Sequence, residues 1–198
     1  MKKIIIILLF ALAINADNPD ISLGINFMLG ARYDNLRMCV ASPAGAKGGP
    51  VADIMFNTRI RLDEKNSVGF KLPVMRPILF AVAFKMVQFE PEFIYEHKFT
   101  LKDDLNFVLG PGLGISLHYG PDYKTERNSE NPAKFFAAGP FISNLFAVNY
   151  RNNSKDRLLG LRTFYAPLFS ENKTGTVLGA ALEWHIDMYD KLSKKEPD

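Results

Sequence analysis

Cysteine is almost missing from this sequence. Its 198 residues hold one, Cys39, so no intramolecular disulfide can form and stability has to come from backbone pairing and packing. After residue 16 there is no run of about 18 or more uncharged apolar residues, which excludes a polytopic helical membrane protein. Charge of one sign is not in excess either. The 24 Lys+Arg stand against 21 Asp+Glu, and loss of a leader carrying Lys2 and Lys3 leaves about +1. A pI near 8.9 therefore implies no nucleic-acid partner. What is present is 47% hydrophobic residues, 12% aromatics and 14 glycines. That excludes a disordered or collagen-like chain and suffices for one core or one membrane-facing band, not two full domains.

Met1-Lys2-Lys3 is a basic start, and Ile4 to Ile14 (IIIILLFALAI) is an apolar stretch too short to span a bilayer. Together they read as a secretory signal peptide over 1–16, cleaved after Ala16 or, as second choice, Ala13. Cys39 lies far beyond the signal, so it is not the acylated cysteine of a lipoprotein. It reads as a loop thiol without nearby partner ligands, and neither a metal nor a cofactor is expected.

From there the dominant period is two. Leu105, Phe107, Leu109, Leu113, Ile115, Leu117 and Tyr119 form one face, and Asn106, Gly110, Gly112, Gly114, Ser116 and His118 the other. The alternation outlasts the nine to eleven residues a transmembrane strand needs, whereas strands of soluble sandwiches usually stop at about six. It recurs from Ile21 to Leu29, Ala52 to Leu62, Val68 to Val74, Val87 to Phe99, more weakly over 135–150, from Leu159 to Tyr165 and from Thr176 to Met188. Eight strands are predicted. DEKNS (63–67), TLKDD (100–104) and RNNSKD (151–156) are short polar turns, while 30–50 and 120–134 are long, with a shorter connection at 170–174. Short turns on one rim and long loops on the other fit a spanning barrel with its short turns in the periplasm. Lipid offers no hydrogen bonds, so such a sheet has to close. Aromatics at the predicted strand ends, Tyr95, Phe99, Phe107, Trp184 and Tyr189 on one rim and Tyr119, Tyr165 and Phe169 on the other, fit two girdles.

Signal, period and loop asymmetry together resemble the small eight-stranded bacterial outer-membrane barrels of the OmpA membrane-domain and OmpX type, over essentially the whole mature chain and without a specific motif. The expected fold is all-β, a closed antiparallel up-and-down transmembrane β-barrel of about eight strands over 17–189. A polar periplasmic tail, 190–198 (DKLSKKEPD), follows where many such barrels end on an aromatic residue. The resemblance implies a bacterial outer-membrane location, lipid as the main partner, and a monomer. It also implies a non-enzymatic role in surface interaction or envelope integrity, through an extracellular ligand at loops 30–50 and 120–134.

The inward face carries Asp53, Arg59, Arg61, Lys71, Glu90, Glu92, Glu96, Arg162, Glu183 and Asp187. Buried ions are tolerable only when paired, so a lumen ion-pair network is expected, with Arg59 or Arg162 within reach of Glu90, Glu92 or Glu183. The same charges would line a narrow ion or small-solute pore. Ser116, His118 and His185 supply atoms for a hydrolase such as an outer-membrane lipid A deacylase of the PagL type, although the residues of that enzyme are not matched one by one. A soluble exported lipocalin-like carrier would need the greasy face inside. Gly110-Pro111-Gly112-Leu113-Gly114 superficially resembles a nucleotide loop, but no helix follows it. The apolar segment 77–84 (PILFAVAF) has three open placements: extending strands three and four, folding over the mouth, or touching lipid.

Overall fold

The computed structural model describes residues 20–35, 47–84, 86–102, 105–121, 134–152, 155–171 and 173–190. The expected signal peptide, Cys39, most of loops 30–50 and 120–134, and the tail after Asp190 lie outside the described residues.

Alternating sequence becomes antiparallel strand throughout. The strands are β1 (Asp20–Asp34), β2 (Gly49–Arg61), β3 (Asn66–Pro73), β4 (Val87–Phe89), β5 (Glu92–Lys102), β6 (Leu105–Pro121), β7 (Lys134–Asn152), β8 (Lys155–Phe169) and β9 (Thr174–Asp190). One helix, α1 (Met75–Phe84), lies between β3 and β4. Sequential neighbours pair around the sheet, β9 returns to β1, and β6 pairs with β7 from Leu105↔Tyr150 to Pro121↔Lys134, so the ring closes. Both β4 and β5 pair with β6, at Phe89↔Leu117 and Glu92↔Gly114. They are one strand interrupted at Glu90-Pro91, which makes the wall eight strands round.

The pleat sends the two sets of side chains to opposite sides, as a period of two demands. Leu113 is 63% exposed and Leu182 61%, and Leu23, Phe27, Phe56, Phe93, Phe146 and Leu161 face outward with them. Asn26, Asp53, Lys71, Glu92, Ser143, Arg162 and Glu183 are buried inside. A greasy exterior around a polar interior inverts a soluble protein and suits a lipid solvent. It also inverts the lipocalin-like alternative. Among the described residues no helix is long and apolar enough to cross a membrane; the crossing is made by strands.

Not all of the interior is polar. Met28, Met55, Met86, Phe141, Phe164 and Leu168 belong to one inward apolar cluster, and Ile94, Val108, Leu145, Ala147 and Leu158 form another. Space is tight enough that a Cβ on Gly112 would run into Ser143 Oγ and lie 3.0 Å from Glu92 Oε2, which explains a glycine there better than a nucleotide loop does.

The segment 77–84 is helical, where the sequence left open an extension of strands three and four, a fold over the mouth, or contact with lipid. Pro73 ends β3, and α1 starts two residues later. The Asp53 carboxylate on β2 caps it by accepting from Arg76 N at 2.9 Å. Pro77 falls in the first turn, where a missing N–H is tolerated. The strands also run further than the sequence suggested. β1 continues through Arg32 to Asp34 and β2 begins at Gly49, so both ends of the expected loop 30–50 belong to the wall.

The turn between β2 and β3 is built from side chains. Asp63 Oδ1 accepts from Lys65 N and Asn66 N, both at 2.8 Å, and Asp63 Oδ2 accepts from Asn66 Nδ2 at 2.7 Å. Tyr95 OH donates to Asn66 Oδ1 at 2.5 Å, tying the turn to β5. The hydrogen bond from the Asn66 side chain, followed by that from Lys65 N, holds the Asp63 carboxyl below its ordinary range.

Candidate functional site: the barrel lumen

Three groups of buried charges occupy the lumen. At the long-loop end, β1 supplies Arg32 and Asp34, β2 Asp53, α1 Arg76, the β4–β5 break Glu90, and β6 Ser116 and His118. Arg32 pairs with Asp34 at 2.7 Å and with Glu90 at 3.6 Å, while Arg76 reaches Glu90 at 2.5 Å and Asp53 at 3.3 Å. Gln88 Oε1 accepts from Arg32 at 3.1 Å.

Midway, Arg162 from β8 meets Glu92 from β5 at 2.5 Å and Glu183 from β9 at 3.5 Å, and Lys71 from β3 meets Glu183 at 2.5 Å. Asn26 donates to Glu183 and Ser143 to Glu92, each at 2.6 Å, so both carboxylates have neutral donors as well as cations. Arg162 also lies over the Phe141 ring at 5.4 Å and points an amine at the sulfurs of Met28 and Met55. Its guanidinium therefore joins the ionic group to the apolar cluster above it.

At the short-turn end, Arg59 Nε lies 2.9 Å from Glu96 and Arg59 Nη1 3.6 Å from Asp187. His185 is clamped between Asp187 at 2.5 Å and Asn57 at 2.6 Å. Of the ten residues expected in this network, nine sit buried in these three groups. Arg61 is half-buried at the lower end of β2, at the edge of the third.

Further polar participants lie outside the sequence-derived set: Arg32 and Asp34 fall within the expected loop 30–50, Arg76 belongs to the unforeseen helix, and Asn26, Asn57, Gln88 and Ser143 are neutral partners. A signal existed for the first two: continuing the inward parity Ser22, Gly24, Asn26, Met28, Gly30 by two more steps lands on Arg32 and Asp34.

The hydrolase candidates divide in space. Ser116 and His118 sit together at the long-loop end, while His185 is in the group near the short turns. Ser116 Oγ lies 3.0 Å from His118 Nε2, and Glu90 Oε1 lies 3.1 Å from that same nitrogen. A catalytic relay needs the acid on the other ring nitrogen, so that one nitrogen takes the serine proton while the other is oriented. Here His118 Nδ1 has no hydrogen-bond partner among the described residues, and Ser116 itself donates to Glu90 at 3.2 Å. Ser116 and His118 are fully buried. The trio is a packed polar cluster. Among the described residues no group of three or more His, Cys, Asp or Glu is placed to hold a metal.

The void beside Arg76, Glu90, Arg162 and Phe141 is about 10 Å³, at the lower limit for one water.

A closed ring, an outward apolar band and an occupied interior define a class: a small eight-stranded transmembrane β-barrel. No known family profile matches the sequence, and no curated protein does. Solved structures do. Neisserial surface protein A (NspA) superposes with a TM-score of 0.52 at 10% identity, over 85% of this chain and 99% of that one. Looser matches are the N-terminal barrel of Pseudomonas aeruginosa OprF, with a TM-score of 0.39 at 8% identity over 84% of this chain and 98% of that one, and Ail of Yersinia pestis, with 0.36 at 8% over 85% and 99%. At such identity the likeness to NspA speaks of fold alone, and at that level the resemblance to small outer-membrane barrels holds.

Proposed function

We propose that this chain is an integral barrel of a bacterial outer membrane, non-enzymatic, delivered by a cleaved signal peptide, and acting through its long loops on an extracellular ligand or as a stabiliser of the envelope. The observation that carries the reading is the inversion of surface and interior around a closed ring. Such a ring pairs its strands on both sides over most of their length and puts leucine and phenylalanine where only hydrocarbon suits them. The occupied lumen argues against the pore alternative, because conduction needs sites that an ion can both enter and leave. The one-nitrogen geometry at His118 argues against the hydrolase.

The test is membrane fractionation with heat-modifiable mobility on semi-native gels, followed by reconstitution into planar bilayers. Detergent-dependent extraction, a shift on boiling and no conductance steps above background are expected. Recovery in the soluble fraction without detergent would overturn the membrane reading, and discrete conductance steps would replace the plugged barrel by a pore.

A further inference from the structure

The third strand of the wall is short. β3 ends at Pro73, opposite Met55, so β2 rises from Met55 to Gly49 without a β3 residue beside it, and on the far side the next wall residues are those of β4. α1 occupies this dip, packed against both β2 and β4. Its backbone tie to β2 runs from Val74 N to Ile54 O at 2.9 Å, and Met86 N returns to Phe80 O at 3.2 Å.

At 100° per residue, Arg76 and Phe80 share one side of the helix, Ile78 and Val82 lie on the opposite one, and Leu79 falls on the flank between them. Arg76 points into the lumen, onto Asp53 and Glu90, and Phe80 packs on the inward apolar cluster. The other side therefore faces away from the lumen. Ile78 is 60%, Leu79 49% and Val82 81% exposed, and Ala81 is exposed beside them. This outer side carries no charged or polar side chain, in contrast to the turns 63–67 and 151–156.

We infer that α1 is a helical segment of the barrel wall itself, and that the surface formed by Ile78, Leu79 and Val82 binds the acyl chains of the surrounding membrane. A helix satisfies its backbone internally, so it can face hydrocarbon where the strand ladder stops. Continuity with the strand belt favours lipid over water or a soluble protein, because both sides of the gap that α1 fills are lipid-facing wall. The inference rests on the membrane reading above.

Nitroxide labels on Val82→Cys, Leu113→Cys and Glu64→Cys, each in a Cys39→Ser background and reconstituted into vesicles of a zwitterionic phospholipid, test it. Collision with molecular oxygen is compared with collision with a water-soluble nickel chelate, and folding of each variant is verified by heat-modifiable mobility. The oxygen-to-nickel ratio at Val82 is expected to match that at Leu113 and exceed that at Glu64. A ratio at Val82 equal to that at Glu64, with Leu113 still in lipid, overturns the lipid-facing helix while leaving the barrel reading intact. An aqueous ratio at Leu113 overturns both.

Discussion

Lys71 Nζ and Glu183 Oε1 stand 2.5 Å apart across the lumen, although β3 and β9 are separated in the ring by β2 and β1. Only a narrow closed barrel lets side chains two strands removed meet so closely. Glu183 also faces Arg162, so its carboxylate holds two lumen cations, one from β8 beside it and one from β3 across the barrel. Glu183→Ala would leave both partly uncompensated, at a cost of about 3 to 5 kcal/mol. The Lys71→Met/Glu183→Leu pair should recover part of that loss, because it removes charge from both sides. Urea unfolding in detergent micelles, followed by loss of heat-modifiable mobility, reads the difference. Equal midpoints for wild type and Glu183→Ala would show that the pair contributes nothing.

The strands and their facing were legible in the sequence because a period of two is a local property; Leu105 to Tyr119 announces its two sides without any partner. Pairing across the lumen was less so. Which carboxylate Arg162 meets depends on strand tilt and stagger, and these are fixed by ring closure rather than by any single segment. α1 escaped because its apolar residues serve both sides: Phe80 inward and Ile78, Leu79 and Val82 outward leave no polar stripe to betray a helical period. Arg76 went with it, since a cation beside an apolar segment has no evident partner until β2 and the β4–β5 break bring up Asp53 and Glu90.

Facing can be tested at the belt. Leu113→Arg or Leu182→Arg places a cation against hydrocarbon and is expected to cost about 2 to 4 kcal/mol near the midplane, seen as reduced assembly in the membrane fraction. Lumen glycines are not the neutral controls that their size suggests. Gly112→Ser drives a side chain into Ser143 and Glu92 and should also impair assembly. Normal assembly of both arginine variants would mean that the belt is not in lipid.

Arg76 anchors α1 to two carboxylates, so Arg76→Ala frees the helix and strands Asp53 and Glu90 without their shared cation. Faster chymotrypsin cleavage at Phe80 in the reconstituted protein is expected, with the strands left resistant. Unchanged cleavage would place the hold on α1 in its apolar contacts instead.

Asp63 gives the β2–β3 turn a pH dependence of known sign. Its carboxyl is held below the ordinary aspartate value, so the charged form is favoured in the folded turn. The contribution is fully present above that value and is lost as pH falls through the lowered one. Protection of the Lys65 amide relative to its intrinsic exchange rate should fall on acidification, and in Asp63→Asn this acid-dependent loss of protection should vanish. An identical acid response in both proteins would assign the effect to another group.

Sidedness follows from the difference between the two rims. Asn66 opens β3 with its side chain bound to Asp63 and Tyr95, and His97 Nδ1 lies 2.7 Å from Asn66 Oδ1, so this turn sets the register of three strands. Lys47 is exposed, at the end of a connection that includes Ser42-Pro43-Ala44-Gly45-Ala46 and has little apolar surface to bury. An epitope inserted after Lys47 should therefore leave assembly intact and be labelled on whole cells. The same epitope after Lys65 should lower the yield of folded barrel, because it separates Asp63 from the Asn66 amide and side chain that close the turn. What barrel still forms should be labelled only after the outer membrane is permeabilised, since β1 and β2 place the two connections at opposite ends of the ring. Whole-cell labelling after Lys65 but not after Lys47 would invert the barrel in the membrane, and with it the assignment of the long loops to the outside.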